Sequence, residues 1–314
     1  MGRECRNVTI VGSGTQGAML AYRSAVYGRR VRVYDVSGEA LARAAEKVEG
    51  WLSDGALADR FEVFDREGIR GRLAYTSDLG EALEDADIVI ENVPERLALK
   101  QEVWNRIDAA APEKTLLTTN SSSLKSSDIG AGVARKDRTC NMNFMTPTKD
   151  DLVEVMWAAQ TSEDTKEAVL AFLTGQGNVP IVTKKEIKGQ GLNRVWRAMK
   201  KECLKLWAGG YIAPEDLDRA FIMEWGTAYG PYGLMDKVGL DIVQQIERTY
   251  YEESGDPDDL PPALLDEWVE AGRLGEKSGQ GFYSYPNPAY AEPGWLRAGS
   301  ADAAKGGDGS ADGE

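Results

Sequence analysis

The chain has 314 residues and no histidine among them. That absence removes the commonest metal ligand and the commonest general base together, and with them Ser-His or Cys-His catalysis. Cysteine is almost as scarce. Cys5, Cys140 and Cys203 stand far apart, with no CxxC or metal-ligand spacing, so reduced thiols are expected and no metal site. No apolar run approaches the roughly 18 residues of a membrane span. The opening Met1-Gly-Arg-Glu-Cys5 is neither a secretory signal nor, with Arg6 in sixth place, a myristoylation pattern. A cytoplasmic protein is expected. Positive charge is also in deficit: 37 Lys and Arg face 51 Asp and Glu, leaving a net charge of −14. That balance disfavours nucleic acid and anionic membranes as partners.

The length suits two domains, and a hydrophobic share of 42% is ordinary for a globular chain. Residues 7–11 (NVTIV) form a short β-branched run that ends on a glycine cluster, and a helical pattern follows through Ala18–Tyr27. Val31–Asp35 alternates as a second strand and Glu39–Leu52 is again helical, which makes a βαβ unit. Strands at 87–91 and 115–119, with a helix through Leu97, Val103, Trp104 and Ile107 between them, extend the alternation to about Val182. The expected fold is α/β: a Rossmann-type doubly wound, mostly parallel sheet over residues 1–186. Beyond Lys185 the apolar period becomes helical, through Leu192, Val195, Trp196, Met199, Cys203 and Leu206. Helices at Pro214–Trp225, Met235–Glu252 and Pro262–Ala271 complete an all-helical domain, 187–297. Residues 298–314, rich in Gly, Ala, Ser and Asp, read as a disordered tail.

Gly12-Ser-Gly14-Thr-Gln16-Gly17 follows the first strand and opens a helix. In such a loop the first glycine permits the tight turn and the second lets backbone approach a pyrophosphate. The third allows close helix–strand packing. The helix N-terminus favours the anion. Asp35 closes the second strand 18 residues beyond Gly17. It is suited to accept hydrogen bonds from adenine ribose hydroxyls and to repel a 2′-phosphate, and no arginine stands at Val36 or Ser37 to reverse that. NAD(H) is the expected cofactor.

Further segments resemble the 3-hydroxyacyl-CoA dehydrogenase family from Val8 to about Tyr285. Glu91–Val103 is similar to the segment lining the nicotinamide half of the cofactor, which implies Glu95 and Lys100 as ribose contacts. Gln16 and Asn120 join the cofactor set. Asn120-Ser-Ser-Ser-Leu124 resembles a family loop that puts Ser122 beside the reacting oxygen. Gly191-Leu-Asn-Arg194 resembles the hinge into the helical domain, with Asn193 as its substrate-contacting asparagine. Gly230–Asp241 and Gly275–Tyr283 are similar to C-terminal signatures. The resemblance also implies a homodimer through the helical domain and a small-molecule or acyl-thioester substrate.

The departures bear on function. Where the family has His-Phe-Phe-Asn-Pro, with the histidine as proton carrier, this chain has Asn143-Phe-Met-Thr-Pro147. The partner acid is retained as Glu154. An amide cannot shuttle a proton near neutral pH, and general acid–base help is typically worth about 10²–10⁴ in rate. Ser122 and a water held by Glu154 are candidate substitutes. Lysines of the kind that hold coenzyme A phosphates are absent between Lys47 and Lys100, leaving Arg60, Arg66, Arg70 and Arg72. Three functions remain open: reduction of a cyclic imine or iminium (or the reverse amine oxidation), 3-hydroxyacyl oxidation with a substituted proton relay, and dinucleotide binding without catalysis.

Overall fold

The computed structural model describes residues 4–61 and 65–297; the tail read as disordered lies outside them. Eight strands form one sheet: β1 (Asn7–Val11), β2 (Arg30–Tyr34), β3 (Leu73–Thr76), β4 (Ile88–Glu91), β5 (Leu116–Thr119), β6 (Thr139–Phe144), β7 (Leu152–Trp157) and β8 (Val179–Thr183). Their order is β3-β2-β1-β4-β5-β6-β7-β8. Every pairing is parallel except β6 with β7. The chain winds outward from β1 to β3, then returns to place β4 on the other side of β1. The crevice beyond the carboxyl ends of β1 and β4 is therefore the switch point where doubly wound sheets bind ligands.

Helices cover both faces. On one side lie α1 (Thr15–Val26), α2 (Gly38–Ser53) and α8 (Glu163–Thr174), with the short α3 (Gly55–Arg60) and α4 (Arg66–Arg70) after α2. On the other lie α5 (Leu79–Leu83), α6 (Leu97–Ala110) and α7 (Ser126–Ile129). Strand β4 shows why its sequence is an unbroken apolar run: Ile88 and Ile90 pack with Leu20, Val48 and Phe172, while Val89 packs with Leu83, Trp104 and Ile107 on the opposite face.

The chain divides into two compact units between Gly191 and Leu192. The second holds most of α9 (Gly191–Ala208), then α10 (Pro214–Trp225), α11 (Pro231–Val238), α12 (Leu240–Ser254) and α13 (Ala263–Glu270). The single helix expected at Met235–Glu252 is two, because Gly239 adopts φ +99 and breaks the run between α11 and α12. Trp207 packs against Trp268 and Phe282 in the core, whereas Trp225 is exposed and meets Phe221 edge to face.

Two buried carboxylates knit this unit together. Asp218 of α10 accepts the Tyr232 and Gly233 N–H groups at the start of α11 (2.9 and 2.8 Å) and the Tyr283 hydroxyl at 3.0 Å. Asp236 of α11 accepts the N–H groups of Phe282 and Tyr283 (2.9 and 2.8 Å) and the Tyr285 hydroxyl at 3.1 Å. A Cβ on Gly281 would meet the Asp236 carboxylate at 2.0 Å, and one on Gly230 would meet Asp218 at 2.4 Å. The glycines of both C-terminal signatures thus serve close packing around these acids.

Candidate active site

The three glycines of the β1–α1 loop stand in three different surroundings. Gly12 has φ +98, and a Cβ there would lie 2.8 Å from the Asn92 backbone beyond β4. A Cβ on Gly17 would lie 2.0 Å from the Gly12 carbonyl, which fixes how closely α1 approaches β1. Around Gly14 nothing lies within 4 Å. The fold therefore leaves room for a side chain at that position, or for a bound group close to the backbone. Helix α1 begins there with no side-chain cap and no acid in its first turn, so its free N–H groups suit an anion. Asp35, just past β2, accepts the Ser13 N–H and hydroxyl (both 2.9 Å) and the Ser37 N–H (3.0 Å). These features fit the pyrophosphate and adenine ribose of a dinucleotide.

Around the switch point the loops after β4, β5 and β6 are tied together. Asn120 donates to Asn92 Oδ1 (2.8 Å) and accepts the Phe144 N–H (2.8 Å). Gln16 donates to the Met145 carbonyl (2.9 Å), leaving its Oε1 buried without a partner among the described residues. Glu95 accepts the hydroxyls of Ser121 and Ser123 and is paired with Lys100 at 3.2 Å. Burial works to raise its carboxyl, yet the Ser121 hydrogen bond and the Lys100 charge hold it below the usual range. Lys100 itself is buried, its ammonium engaged by Glu91 (2.8 Å), the Val93 carbonyl (3.0 Å) and Glu95. Its charge is met inside the chain by two carboxylates.

Asn143 and Glu154 are directly opposite in the antiparallel β6–β7 ladder. Directly opposed residues share a face, with Cβ atoms roughly 4.5–5.5 Å apart. Both are buried, and Asn143 Nδ2 has no hydrogen-bond partner among the described residues. Ser122 lies exposed on the loop after β5. The turn from β6 to β7 is gripped by Arg23 of α1, fully buried. Its guanidinium donates to the carbonyls of Pro147 (3.0 Å), Asp150 (3.1 Å) and Gln176 (2.7 Å) and to the Asp151 carboxylate (2.8 Å).

The family model "3-hydroxyacyl-CoA dehydrogenase, NAD binding domain" matches residues 7–187, and its C-terminal domain model matches 189–285. The chain belongs to the 3-hydroxyacyl-CoA dehydrogenase family. It is 33% identical over 283 residues to a probable 3-hydroxybutyryl-CoA dehydrogenase of Bacillus subtilis, covering 90% of this chain and 98% of that one. It is 31% identical over 286 residues to 5-formyl-3-hydroxy-2-methylpyridine 4-carboxylate 5-dehydrogenase of Mesorhizobium japonicum, covering 89% and 91%. Among solved structures, a diketoreductase described as acting on dicarbonyl compounds superposes with TM-score 0.81 at 32% identity, covering 90% of this chain and all of that one. As a member of the 3-hydroxyacyl-CoA dehydrogenase family the chain is an NAD-dependent oxidoreductase.

Asn193 is the third residue of α9. Of the arginines considered for phosphates, Arg60 pairs with Asp151 (2.9 Å), Arg70 with Glu49 (2.8 Å) and Glu67, and Arg72 donates to the Ala25 carbonyl (3.2 Å). Burial pushes the Cys140 thiol up, which leaves it inert. Among the described residues no group of three or more His, Cys, Asp or Glu is placed to hold a metal. No helix among them is long and apolar enough to cross a membrane. Sequence reading missed Arg23, Asn141 and Gln190, because a lone polar residue in an apolar run carries no local sign of a partner many positions away.

Proposed function

We propose that this enzyme transfers a hydride between NAD(H) and a carbon–nitrogen double bond, reducing a cyclic imine or iminium or oxidising the corresponding amine. The observation that carries the reading is the cross-strand pair of Asn143 and Glu154, an amide donor opposite a buried carboxylate. In this reading Asn143 occupies the place of the family's histidine. Nicotinamide, when bound, supplies or accepts the hydride. An iminium arrives already protonated, so Asn143 has no proton to deliver and orients the substrate through its amide. The carboxylate of Glu154 stabilises the cationic carbon–nitrogen bond electrostatically. Ser122 offers a hydroxyl at the same end of the sheet, and the family resemblance assigns Asn193 to the substrate as well. Glu95, held by Lys100, Ser121 and Ser123, faces the nicotinamide ribose, and Gln16 and Asn120 keep the surrounding loops in register.

A small substrate is supported by the engagement of Arg60, Arg70 and Arg72 with acids and a carbonyl of the chain. At those three, though not at Arg66 among the described residues, coenzyme A phosphates would have to displace an existing partner. A second reading, 3-hydroxyacyl oxidation with Ser122 or a water on Glu154 carrying the proton, is supported by the 33% identity to the Bacillus subtilis relative. The reading also includes a homodimer through the helical unit, where Val195, Met223 and Trp225 remain exposed.

NADH consumption with 1-pyrroline and other cyclic iminium ions, beside acetoacetyl-CoA, separates the two. Wild type should reduce the iminium and turn over acetoacetyl-CoA at least about 10²-fold more slowly, the low end of a lost general acid. Asn143→His should raise only the second activity. Efficient acetoacetyl-CoA turnover by the wild type, with none on any iminium, sinks the first reading in favour of the second.

A further inference from the structure

Two residues before Asn143 and on the same face of β6, Asn141 anchors a buried polar network that the reaction above does not use. Its Nδ2 donates to the carbonyls of Ser121 (2.8 Å) and Leu124 (3.3 Å), and its Oδ1 accepts Gln190 Nε2 at 2.8 Å. Gln190 Nε2 also reaches the Ser121 carbonyl at 3.5 Å. The backbone N–H groups of Gln190 and Gly189 donate to the carbonyls of Ser122 (3.3 Å) and Ser123 (3.0 Å). The segment before α9 is thereby stitched to the loop that carries Ser122.

Because Nε2 faces two acceptors, the network fixes which end of the Gln190 amide is nitrogen. The other end, Oε1, is buried and accepts no hydrogen bond among the described residues, in a side chain only 1% exposed. The next residue, Gly191, has Glu154 Oε1 3.3 Å from the position of an added Cβ. Gln190 therefore reaches the face of Asn143 and Glu154 from a second element. Among the described residues, the donor Asn143 Nδ2 and the acceptor Gln190 Oε1 are buried there without a hydrogen-bond partner. Buried polar groups in native proteins are nearly always satisfied, and a leftover pair of opposite character calls for a ligand.

We infer that Gln190 recognises the substrate: its amide oxygen accepts a hydrogen bond from an N–H or O–H of the ligand, while a neighbouring acceptor on that ligand takes Asn143 Nδ2. The inference rests on the reading that the reacting group sits beside Asn143. It narrows the substrate to molecules carrying a donor and an acceptor close together, such as a protonated cyclic amine with an adjoining carboxylate or an alcohol next to a carbonyl. Asn141 is a positioning residue that aims the Gln190 amide.

The test uses the full chain saturated with NAD and calorimetric titration of two ligand pairs, in each of which one member carries a hydrogen-bond donor where the other has none. The pairs are piperidine-2-carboxylate with tetrahydropyran-2-carboxylate, and 3-hydroxybutyryl-CoA with acetoacetyl-CoA. In at least one pair, wild type should bind the donor-bearing member about fivefold or more tightly, and Gln190→Met should bring the ratio within about twofold with NAD affinity unchanged. Gln190→Glu, which keeps an acceptor oxygen, should retain the preference and serves if the methionine variant fails to fold. A preference confined to the hydroxyacyl pair and lost in Gln190→Met upholds Gln190 while refuting the carbon–nitrogen substrate. No donor preference in wild type, binding of neither pair, or a preference that survives Gln190→Met overturns the inference.

Discussion

Asp35 carries three hydrogen bonds before any ligand arrives, from Ser13 twice and Ser37 once. Those donors fix the direction of the carboxylate where an adenine ribose would lie. A ribose diol adds donors to it, whereas a 2′-phosphate brings a second negative charge against it. Asp35→Ser should weaken NADH by roughly tenfold, the scale of hydrogen bonds to a charged group, and narrow the gap to NADPH. Fluorescence titration of the two reduced cofactors measures both effects; unchanged discrimination would assign the preference to another residue. Glu95 follows a different logic at the same scale. Its charge is maintained by the Ser121 hydrogen bond, Lys100 and Ser123, against the cost of burial.

At the scale of elements, the β1–α1 loop separates what the fold needs from what the ligand needs. Gly17→Ala places a Cβ 2.0 Å from a backbone oxygen. It should lower the thermal midpoint, at a cost of about 1–3 kcal/mol for overpacking, and impair NADH binding as well. Gly14→Ala meets nothing within 4 Å, so its midpoint should stay at the wild-type value while NADH affinity falls. Equal melting of the two variants would contradict the division of roles. This loop was readable from sequence because its strand, turn and helix are contiguous, as were the alternation of the first unit and the helical period of the second. The break at Gly239 was not, since the apolar spacing of Met235, Leu240 and Val243 persists across it while φ +99 does not show in a side-chain pattern. Asn141 and Gln190, 49 positions apart, were illegible for a different reason. Their meaning lies in a pairing that exists only once β6 and the segment before α9 are brought together.

For the whole molecule, Asp218 makes stability depend on pH. Burial, with the nearby Asp236 charge adding to it, pushes its carboxyl up to about 6 even though three donors oppose the change. A group raised in the folded state contributes stability that is complete below its unfolded value, near 3.8, and is lost as pH rises through about 6. The contribution at stake is roughly 3 kcal/mol, since a tenfold change in proton affinity is worth about 1.36 kcal/mol. Chemical denaturation of the wild type should therefore show this group's stabilisation fading between pH 4 and 6. Asp218→Asn should be less stable throughout, having lost acceptor capacity toward Tyr232, Gly233 and Tyr283, but its profile over that interval should be flatter by the equivalent of one proton. A slope identical to wild type would mean that Asp218 titrates normally.

The grip of α1 on the turn between β6 and β7 has a consequence for anyone who would re-engineer this enzyme. One helix lends its first turn to the dinucleotide loop, holds the Met145 carbonyl through Gln16, and clamps Pro147, Asp150 and Asp151 through Arg23. Residues 145–151 are therefore not a portable module. A relative's version of that turn, transplanted to change substrate range, would have to bring its own counterparts of Gln16 and Arg23, or the graft would disturb cofactor affinity along with specificity.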